Sequence, residues 1–570
     1  MRIKRRHKYE DIAPDEILID AQNLPGFDAT RLEGRIERPI EARMFRAFAL
    51  ILTLIATVFL TQLGKLQIVD ASALRARAEA NHLTSQTLIA ERGLITDRTG
   101  EPLALNEWRD DLGFAVRKYP LGEAAAQVIG YVSYPKRDDN NYWFQDSSEG
   151  LAGIEASFDS VLRGVNGAEI RETTAQGESV SGSIVREAKN GEKLTLSLDA
   201  GLQEELYDVI KKYAEESNFV GGSGVIMDVE TGELYALASY PSYDPEIVST
   251  GSPRETIQQY VQDPRSPFLD RAISGLYTPG SVVKPFVGLA ALQEHVITPD
   301  KQLYSSGAIS VPNPYDPAHP SVFRDWKAHG WVALRDAIAV SSDVYFYGVG
   351  GGLSGATAEQ ARVTSQEGLG IGRIAEYMQL FGIGSSPTGV PLEGEATGTV
   401  PTPEWKAKVF DGEQWYLGDT YHTAIGQYGF QVTAIEMARA IAAIANGGTL
   451  IEPSLFAGSA GKREDLGLDP ANIQVIREGM HQGVEEGTAL ALNIVGLEAA
   501  GKTGTAEVGV NKEFVNSLVI GFFPYEHPRY AFTVVMERAK AGTPLGAPAV
   551  MREVLEWILA NRPDMAGSGG

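Results

Sequence analysis

The chain of 570 residues contains no cysteine, so disulfide bonds, thiolate catalysis and cysteine zinc sites are excluded. It also has less positive than negative charge, with 50 lysines and arginines against 74 aspartates and glutamates and a net charge of −24. This balance argues against nucleic acid as the main partner. Low-complexity sequence is limited to a short Gly/Ser tail. Because cysteine usage does not identify the compartment, a membrane segment must do so.

One apolar run near the N-terminus is long enough to span a bilayer. Residues 47–63 read AFALILTLIATVFLTQL, and Phe45 and Leu66 extend the run to about 20 residues. A cleaved signal peptide is the alternative interpretation, and residues 71–73 (Ala-Ser-Ala) even offer a small-residue cleavage site. However, a signal peptide has an apolar region of only about 7–15 residues and a much shorter leading tail. We therefore predict a membrane anchor over residues 44–64.

Lysine and arginine are denser before the apolar run than after it, and Arg43 and Arg46 flank it directly. The positive-inside rule then places the N-terminus in the cytoplasm and the rest of the chain outside it. A chain of this length is too long for one ordinary core, so about two to four domains are expected. We predict a disordered cytoplasmic tail (1–43), the anchor (44–64), a β-rich pedestal with a head lobe (65–198), a catalytic domain (199–562) and a disordered tail (563–570).

The apolar pattern after the pedestal indicates one sheet to which both ends of the domain contribute. Residues 224–238 are typical of a buried β-hairpin, and residues 517–523 and 530–537 are typical of two joined strands. Helical periodicity predominates between them, most clearly over residues 432–445. Helices segregated from an antiparallel sheet define an α+β domain.

A candidate nucleophile lies where Pro279 and Gly280 interrupt the chain and Ser281 opens an apolar run typical of a helix start. Ser281 and Lys284 are three residues apart, so they share one face of a helix. A hydroxyl beside an amine can act as a nucleophile with its own base. On this spacing alone, an N-cap serine followed by a surface lysine is the plainer interpretation.

Two further motifs change that interpretation. They are Ser341-Ser342-Asp343 and Gly501-Lys502-Thr503-Gly504-Thr505. S-x-x-K, S-D-N and K-T-G in this order are the signature of class A β-lactamases and penicillin-binding proteins. Here the first and third motifs are intact, and the middle motif has Asp343 in place of Asn.

The chemistry of acyl transfer explains these residue types. Ser281 must lose its proton to attack a carbonyl, and Lys284 can accept that proton only as a neutral amine. Burial and a nearby second cation both favour the neutral form of a lysine. Lys502 is the candidate for that second cation. Ser341 can then relay a proton to the leaving amine.

The third motif is predicted to hold the substrate. Lys502 and Thr503 can bind a carboxylate, with Gly504 and Thr505 on the same strand edge. The backbone N–H groups of Thr505 and of the candidate nucleophile can form an oxyanion hole. Asp343 complicates the base, because a carboxylate beside an amine favours its charged form. Three explanations stay open: Asp343 is protonated, other donors bind its carboxylate, or the charge of Lys502 offsets that of Asp343.

With these motifs the chain resembles the class B penicillin-binding proteins, the acyl-serine D,D-transpeptidases that cross-link peptidoglycan. The pedestal segments that resemble the family are Arg92–Arg98, Gly153–Glu155 and Leu162–Gly164. The segments that resemble the elongation type, penicillin-binding protein 2, are Asp343, Gly418–Thr420 and Ile425–Gln427. The division type, which usually has Asn in the middle motif, remains an alternative.

The resemblance implies a penicillin-recognising transpeptidase domain on an elongated pedestal, anchored in the bacterial inner membrane. It implies stem peptides ending in D-Ala-D-Ala, an acyl-enzyme on Ser281, inhibition by β-lactams and a polytopic glycosyltransferase of the elongation machinery as partner. It implies no cofactor. Other interpretations are a serine β-lactamase, a membrane β-lactam sensor and an inactive scaffold.

Zinc binds between the first two motifs in some elongation-type members. The candidate ligands in that region are Asp316, His319, Asp325 and His329. No cysteine is available and the spacing is not diagnostic of a zinc site, so loop and core roles are predicted for these four residues instead of a metal.

Overall fold

The computed structural model describes residues 42–80, 82–139, 142–173, 179–313, 316 and 318–567. The chain divides into two compact units: Met1–Thr84 with Arg171–Gly182, and Ser85–Ile170 with Ser183–Gly570. Of the predicted cytoplasmic tail over residues 1–43, only Ala42 and Arg43 are among the described residues.

The first unit contains helix α1 (Ala42–Gly64), which continues through a π-helical turn (Lys65–Val69) to α2 (Ala71–Ala80). In the described part of the chain, Ala42–Val69 is the one helical stretch long and apolar enough to cross a membrane. The hydroxyls of Thr53, Thr57 and Thr61 donate to carbonyls one turn back, which satisfies them in apolar surroundings. The predicted anchor coincides with α1.

Short elements make up the pedestal region that follows. They are β1 (His82–Leu88), β2 (Ile95–Thr96), β3 (Pro102–Arg109), β4 (Phe114–Lys118), α3 (Ala126–Ile129), β5 (Val132–Ser133), β6 (Lys136–Arg137), β7 (Trp143–Gln145), β8 (Glu149–Gly150), α4 (Gly153–Ser157), α5 (Asp159–Leu162), β9 (Gly167–Thr173), β10 (Ser179–Arg186) and β11 (Leu194–Thr195). One sheet has the order β11-β2-β3-β4. The family-like segments meet in this region, because Glu155 pairs with both Arg92 and Arg117, and Arg92 also pairs with Asp159.

Helices and strands of the C-terminal region are longer. They are α6 (Ala200–Ser217), β12 (Gly221–Asp228), β13 (Leu234–Tyr240), α7 (Pro245–Thr250), α8 (Arg254–Gln262), α9 (Lys284–Gln293), β14 (Leu303–Ser305), β15 (Ala308–Val311), β16 (Ser321–Arg324), β17 (Gly330–Val332), α10 (Leu334–Ala339), α11 (Asp343–Gly351), α12 (Ala356–Gln360), α13 (Gly370–Leu380), α14 (Pro403–Val409), α15 (Leu417–Ala424), α16 (Ala434–Ala445), β18 (Thr449–Ile451), β19 (Arg463–Asp465), α17 (Pro470–Glu485), β20 (Ala500–Val508), β21 (Phe514–Phe523), β22 (Tyr530–Lys540) and α18 (Ala547–Asn561).

The central sheet has the order β13-β12-β22-β21-β20, and every pair is antiparallel. Successive residues of a strand point to opposite faces. Val225 of β12 accordingly belongs to the core that contains α9 and α16, whereas Ile226 belongs to the core that contains α6 and α18. The sheet therefore lies between two helical layers. The predicted α+β fold, with a sheet supplied by both ends of the domain, is confirmed.

Two boundaries differ from the prediction. The predicted helix over residues 432–445 begins at Ala434, because Val432 pairs with Tyr277 in a β-bridge and Thr433 caps the helix. The tail predicted over residues 563–570 is not wholly disordered, since Met565 is buried. The predicted division at residues 198/199 lies within the second compact unit, where one apolar core runs from the pedestal sheet into the central sheet.

Candidate active site

Ser281 lies in a 3₁₀ turn, Gly280–Val283, that leads directly into α9. Gly280 has a φ of +59° and donates its N–H to Gly426 O at 3.0 Å. A Cβ on Gly426 would lie 2.2 Å from Gly280 O, closer than a side chain permits. Glycine at position 426 therefore allows the backbone that follows α15 to touch the Ser281 turn.

Strand β20 also packs directly against the Ser281 turn. A Cβ on Gly504 would lie 2.6 Å from Pro279 O, and a Cβ on Gly280 would lie 3.1 Å from Thr505 O. The first and third motifs thus meet in backbone contact. Gly504 has no side chain on the side that faces the turn, so strand β20 can approach Ser281 closely.

Lys284 is the first residue of α9, and its side chain is fully buried. Its Nζ donates to Ser341 O at 2.8 Å and to Ser341 Oγ at 3.3 Å, and it pairs with Asp343 Oδ1 at 2.6 Å. Among the described residues no side-chain hydrogen bond joins Lys284 to Ser281. The structure therefore places the predicted base on the second motif rather than directly on the candidate nucleophile.

A buried carboxylate, Asp325, shapes the second motif. Asp325 Oδ2 accepts hydrogen bonds from Ser342 Oγ at 2.8 Å, Val344 N at 3.0 Å and Ser305 Oγ at 3.1 Å. Ser342 in turn caps α11. The neighbouring Ser341 has a φ of +60°, a conformation that costs a non-glycine residue about 1–3 kcal/mol. The buried network holds this turn in place and so orients the side chains on both sides of Ser342.

The four residues considered as zinc ligands fall into two separate pairs. Asp316 and His319 pair on the surface at 2.9 Å, whereas Asp325 and His329 are buried with their atoms 3.4 Å apart. Burial lowers the pKa of His329, although Asp325 opposes this shift. In the described ranges no group of three or more His, Cys, Asp or Glu side chains is placed to hold a metal ion.

Lys502 is the second buried amine of the site. Its Nζ lies 2.9 Å from Ser341 Oγ and donates to Thr503 O at 2.8 Å. Burial, and then the charge of Lys284, hold the pKa of Lys502 well below its ordinary value, with Asp343 acting in the opposite direction. Ser341 Oγ therefore lies between two amines, one of which is driven toward its neutral form.

The predicted residues that reach solvent share one cavity of about 530 Å³. They are Ser281, Ser341, Asp343, Thr503 and Thr505. Trp326 and Thr488 also line the cavity and were not predicted from the sequence. Trp326 directly follows Asp325, and Thr488 lies in a Gly-containing turn after α17; neither belongs to a motif that signals a site. Only their contacts across the fold identify them.

The profile of the family described as the penicillin binding protein transpeptidase domain matches residues 222–556, more than half of the chain. This chain belongs to the penicillin-binding protein transpeptidase family. A second profile, the penicillin-binding protein dimerisation domain, matches residues 113–196. The two profile matches assign the pedestal and the catalytic domain to separate parts of the sequence, although these two regions share one apolar core.

Individual relatives support the elongation type. The chain is 27% identical to the peptidoglycan D,D-transpeptidase MrdA of Haemophilus influenzae, over 95% of each chain. It is 32% identical to penicillin-binding protein 2 of Pseudomonas aeruginosa, solved in complex with WCK 5153, with a TM-score of 0.65 over 83% of this chain and 97% of that one. It is 25% identical to a chain of a peptidoglycan synthase complex that coordinates polymerization and crosslinking, with a TM-score of 0.70 over 92% and 99%. The predicted resemblance to penicillin-binding protein 2 is confirmed.

Proposed function

We propose that this chain is an elongation-type peptidoglycan D,D-transpeptidase, which forms an acyl-enzyme on Ser281 from stem peptides ending in D-Ala-D-Ala. One observation carries the proposal: a cavity of about 530 Å³ is lined by Ser281, Ser341 and Thr503 together, and two buried amines flank Ser341. The similarity to MrdA and to penicillin-binding protein 2 supports the substrate class.

The two buried amines, Lys284 and Lys502, together prepare Lys284 to act as the base. In the resting arrangement Lys284 donates to Ser341 and Asp343, so it must give up a proton before it can accept one. Ser341 Oγ contacts both amines, and Lys502 is driven toward its neutral form. The Ser341 hydroxyl can relay a proton from Lys284 to Lys502, a step that costs free energy because the pKa of Lys502 is lowered. Lys284 is then a neutral amine that can accept the hydroxyl proton of Ser281.

Acyl transfer then proceeds in two halves. Ser281 Oγ attacks the carbonyl carbon of the penultimate D-Ala, and the resulting oxyanion accepts hydrogen bonds from the backbone N–H groups of Ser281 and Thr505. The C–N bond to the terminal D-Ala breaks as Ser341 passes a proton to the leaving nitrogen. An acceptor amine next attacks the ester carbonyl, its proton returns to the amine pair, and Ser281 leaves as a free hydroxyl.

The third motif binds the carboxylate of the terminal D-Ala or of a β-lactam. Thr503 and Thr505 line the cavity with their side chains, and Lys502 lies beneath them in contact with Thr503 O. Hydrogen bonds to an ionised carboxylate are roughly twice as strong as neutral ones. The same donors therefore serve both ligands, which accounts for inhibition by β-lactams.

The surroundings of the enzyme follow from its anchor. We infer that α1 holds the chain in the bacterial inner membrane, with the N-terminus in the cytoplasm and the catalytic domain outside it, because positive residues are denser before α1. A polytopic glycosyltransferase of the elongation machinery is the proposed membrane partner. The similarity to a chain of a complex that coordinates polymerization and crosslinking supports that partner.

Fluorescent penicillin labelling of the purified full-length protein tests this function. The wild type should form an adduct that persists for minutes or longer, whereas Ser281→Ala, which keeps the fold, should form none. Thermal unfolding of both proteins provides the control for folding. Labelling of the Ala variant would remove Ser281 from the mechanism, and rapid release of hydrolysed penicillin by the wild type would favour a β-lactamase instead.

A further inference from the structure

A turn that none of the three motifs includes joins the second motif to the third. This turn, residues 486–489, follows α17. Thr488 N donates to Ala339 O at 3.0 Å, and Ala339 is the last residue of α10, two residues before Ser341. A Cβ on Gly487 would lie 2.2 Å from the same carbonyl oxygen, so the turn is pressed against the end of α10.

The side chain of Thr488 makes the second connection. Thr503 Oγ1 donates a hydrogen bond of 2.9 Å to Thr488 Oγ1, and both residues line the active-site cavity. A hydroxyl has one proton and two lone pairs. In a pair of hydroxyls only one proton lies between the oxygens, so the other proton is free to point into the cavity.

We infer that Thr488 is a positioning residue that orients the Thr503 hydroxyl as a donor to the carboxylate of the substrate. When a carboxylate binds, both hydroxyls rotate, so that Thr488 donates to Thr503 and Thr503 donates to the carboxylate, and each bond polarises the next. The backbone bond to Ala339 keeps the pair in register with Ser341. This inference rests on the proposed function, because it assigns the carboxylate of the D-Ala-D-Ala stem peptide to the third motif.

A substitution that removes the hydroxyl and preserves shape isolates this role. Thr488→Val should lower the second-order rate constant for acylation by benzylpenicillin about tenfold, because it removes the hydrogen-bond partner that orients the Thr503 donor. The loss should lie mainly in the affinity of the initial complex and not in the limiting acylation rate. Thr488→Ser keeps the hydroxyl and should restore acylation to within about twofold of the wild type.

Thr543 provides the matched control. It lines the same cavity, but its hydroxyl donates to Lys540 O of its own turn at 2.8 Å. Thr543→Val removes an equivalent hydroxyl from the cavity wall, and its acylation should stay within about twofold of the wild type. A tenfold loss in this variant as well would mean that general polarity of the cavity, and not the Thr488–Thr503 pair, determines affinity.

A pair of thiolester substrates separates positioning from simple structural support. One carries a free terminal carboxylate and the other carries the corresponding amide. Thr488→Val should impair acylation by the carboxylate substrate and leave that by the amide within about twofold. Equal losses for both substrates would overturn the inference, as would an additive effect when the substitution is combined with Thr503→Val. Should the Val variant not fold, Thr488→Ala compared with Thr488→Ser gives the same two outcomes. A wild type that is not acylated at all would instead contradict the proposed function.

Discussion

Buried charges of the pedestal region and of the active site are organised differently. In the pedestal cluster Glu155 pairs with Arg92 and Arg117, while Asp159 pairs with Arg92. Arg163 also pairs with Asp159 and with Glu149, so three positive charges meet three negative charges. The remaining guanidinium N–H groups donate to backbone carbonyls and to Asn106, so the cluster is closed.

The active-site cluster is unbalanced. Lys284 and Lys502 are both buried, and Asp343 is the one carboxylate that pairs with either of them in the described part of the chain. Asp343 is itself partly exposed in the cavity. Burying a charge without a partner is costly, so one amine is driven toward its neutral form.

The difference separates a structural cluster from a reactive one. A balanced cluster holds its protons, because every charge is stabilised by another. An unbalanced cluster must hold one group near the point where it gains or loses a proton, and that property is what general acid–base catalysis requires. Substitutions in the two clusters should therefore have opposite consequences for stability and activity.

Lys502→Met should have the largest effect on activity. The substitution removes the second buried amine and keeps an unbranched apolar side chain. The rate constant for acylation should therefore fall by roughly 10²–10⁴-fold, the usual contribution of acid–base catalysis. Stability should be unchanged or higher, because a buried polar amine, whose charged form burial disfavours, is replaced by an apolar group. Acylation kinetics and urea unfolding measure the two quantities. A variant that retained full acylation would show that the second buried amine has no catalytic role.

The same variant should also change how stability depends on pH. Because the pKa of Lys502 is lowered in the folded protein, the unfolded chain binds more protons between that value and the ordinary lysine pKa. Unfolding free energy should therefore rise with pH in this window, by up to about 1.4 kcal/mol per pH unit. The Met variant should lose this slope, and an unchanged slope would mean that another group causes it.

Glu155→Gln should have the reverse effect. It leaves two buried guanidinium groups without their shared carboxylate, so unfolding free energy should fall by about 3–5 kcal/mol. Acylation by the folded fraction should be unchanged. Glu149→Gln is the matched control, because its exposed pair with Arg163 contributes no more than about 1 kcal/mol. A Glu155 variant with normal stability and no acylation would contradict the comparison.

Substitution of Asp343, the carboxylate that pairs with Lys284, should have the smallest effect on acylation. Asp343→Asn keeps an oxygen that accepts the hydrogen bond of Lys284, whereas Asp343→Ala removes it. The Ala variant should lose acylation about 10- to 100-fold, as expected for a lost hydrogen bond to a charged group, and the Asn variant should lose clearly less. Penicillin acylation rates measure both. Equal losses would show that the charge, and not the acceptor oxygen, is what matters.

The sequence motifs predicted the catalytic candidates and the sheet that contains them, because the spacing of Ser281 and Lys284 and the apolar runs of the strands are local signals. The contact of Thr488 with Thr503 was not predictable, since it depends on how α17 approaches β20. The motifs did indicate that Asp343 lies beside Lys284, but the position of the Lys284 amine on the second motif and not on Ser281 depends on the turn that Asp325 supports. The apolar core that the pedestal sheet shares with the central sheet was not predictable for a related reason: an apolar pattern marks strands but does not show which of them share a core.

Intact-mass spectrometry after incubation with benzylpenicillin, followed by peptide mapping, tests the central claim most directly. We expect one penicilloyl adduct per chain, located on Ser281, which forms in the wild type and forms at a strongly reduced rate in Lys502→Met. An adduct on any other residue, or the same rate of adduct formation on Ser281 in both proteins, would contradict it.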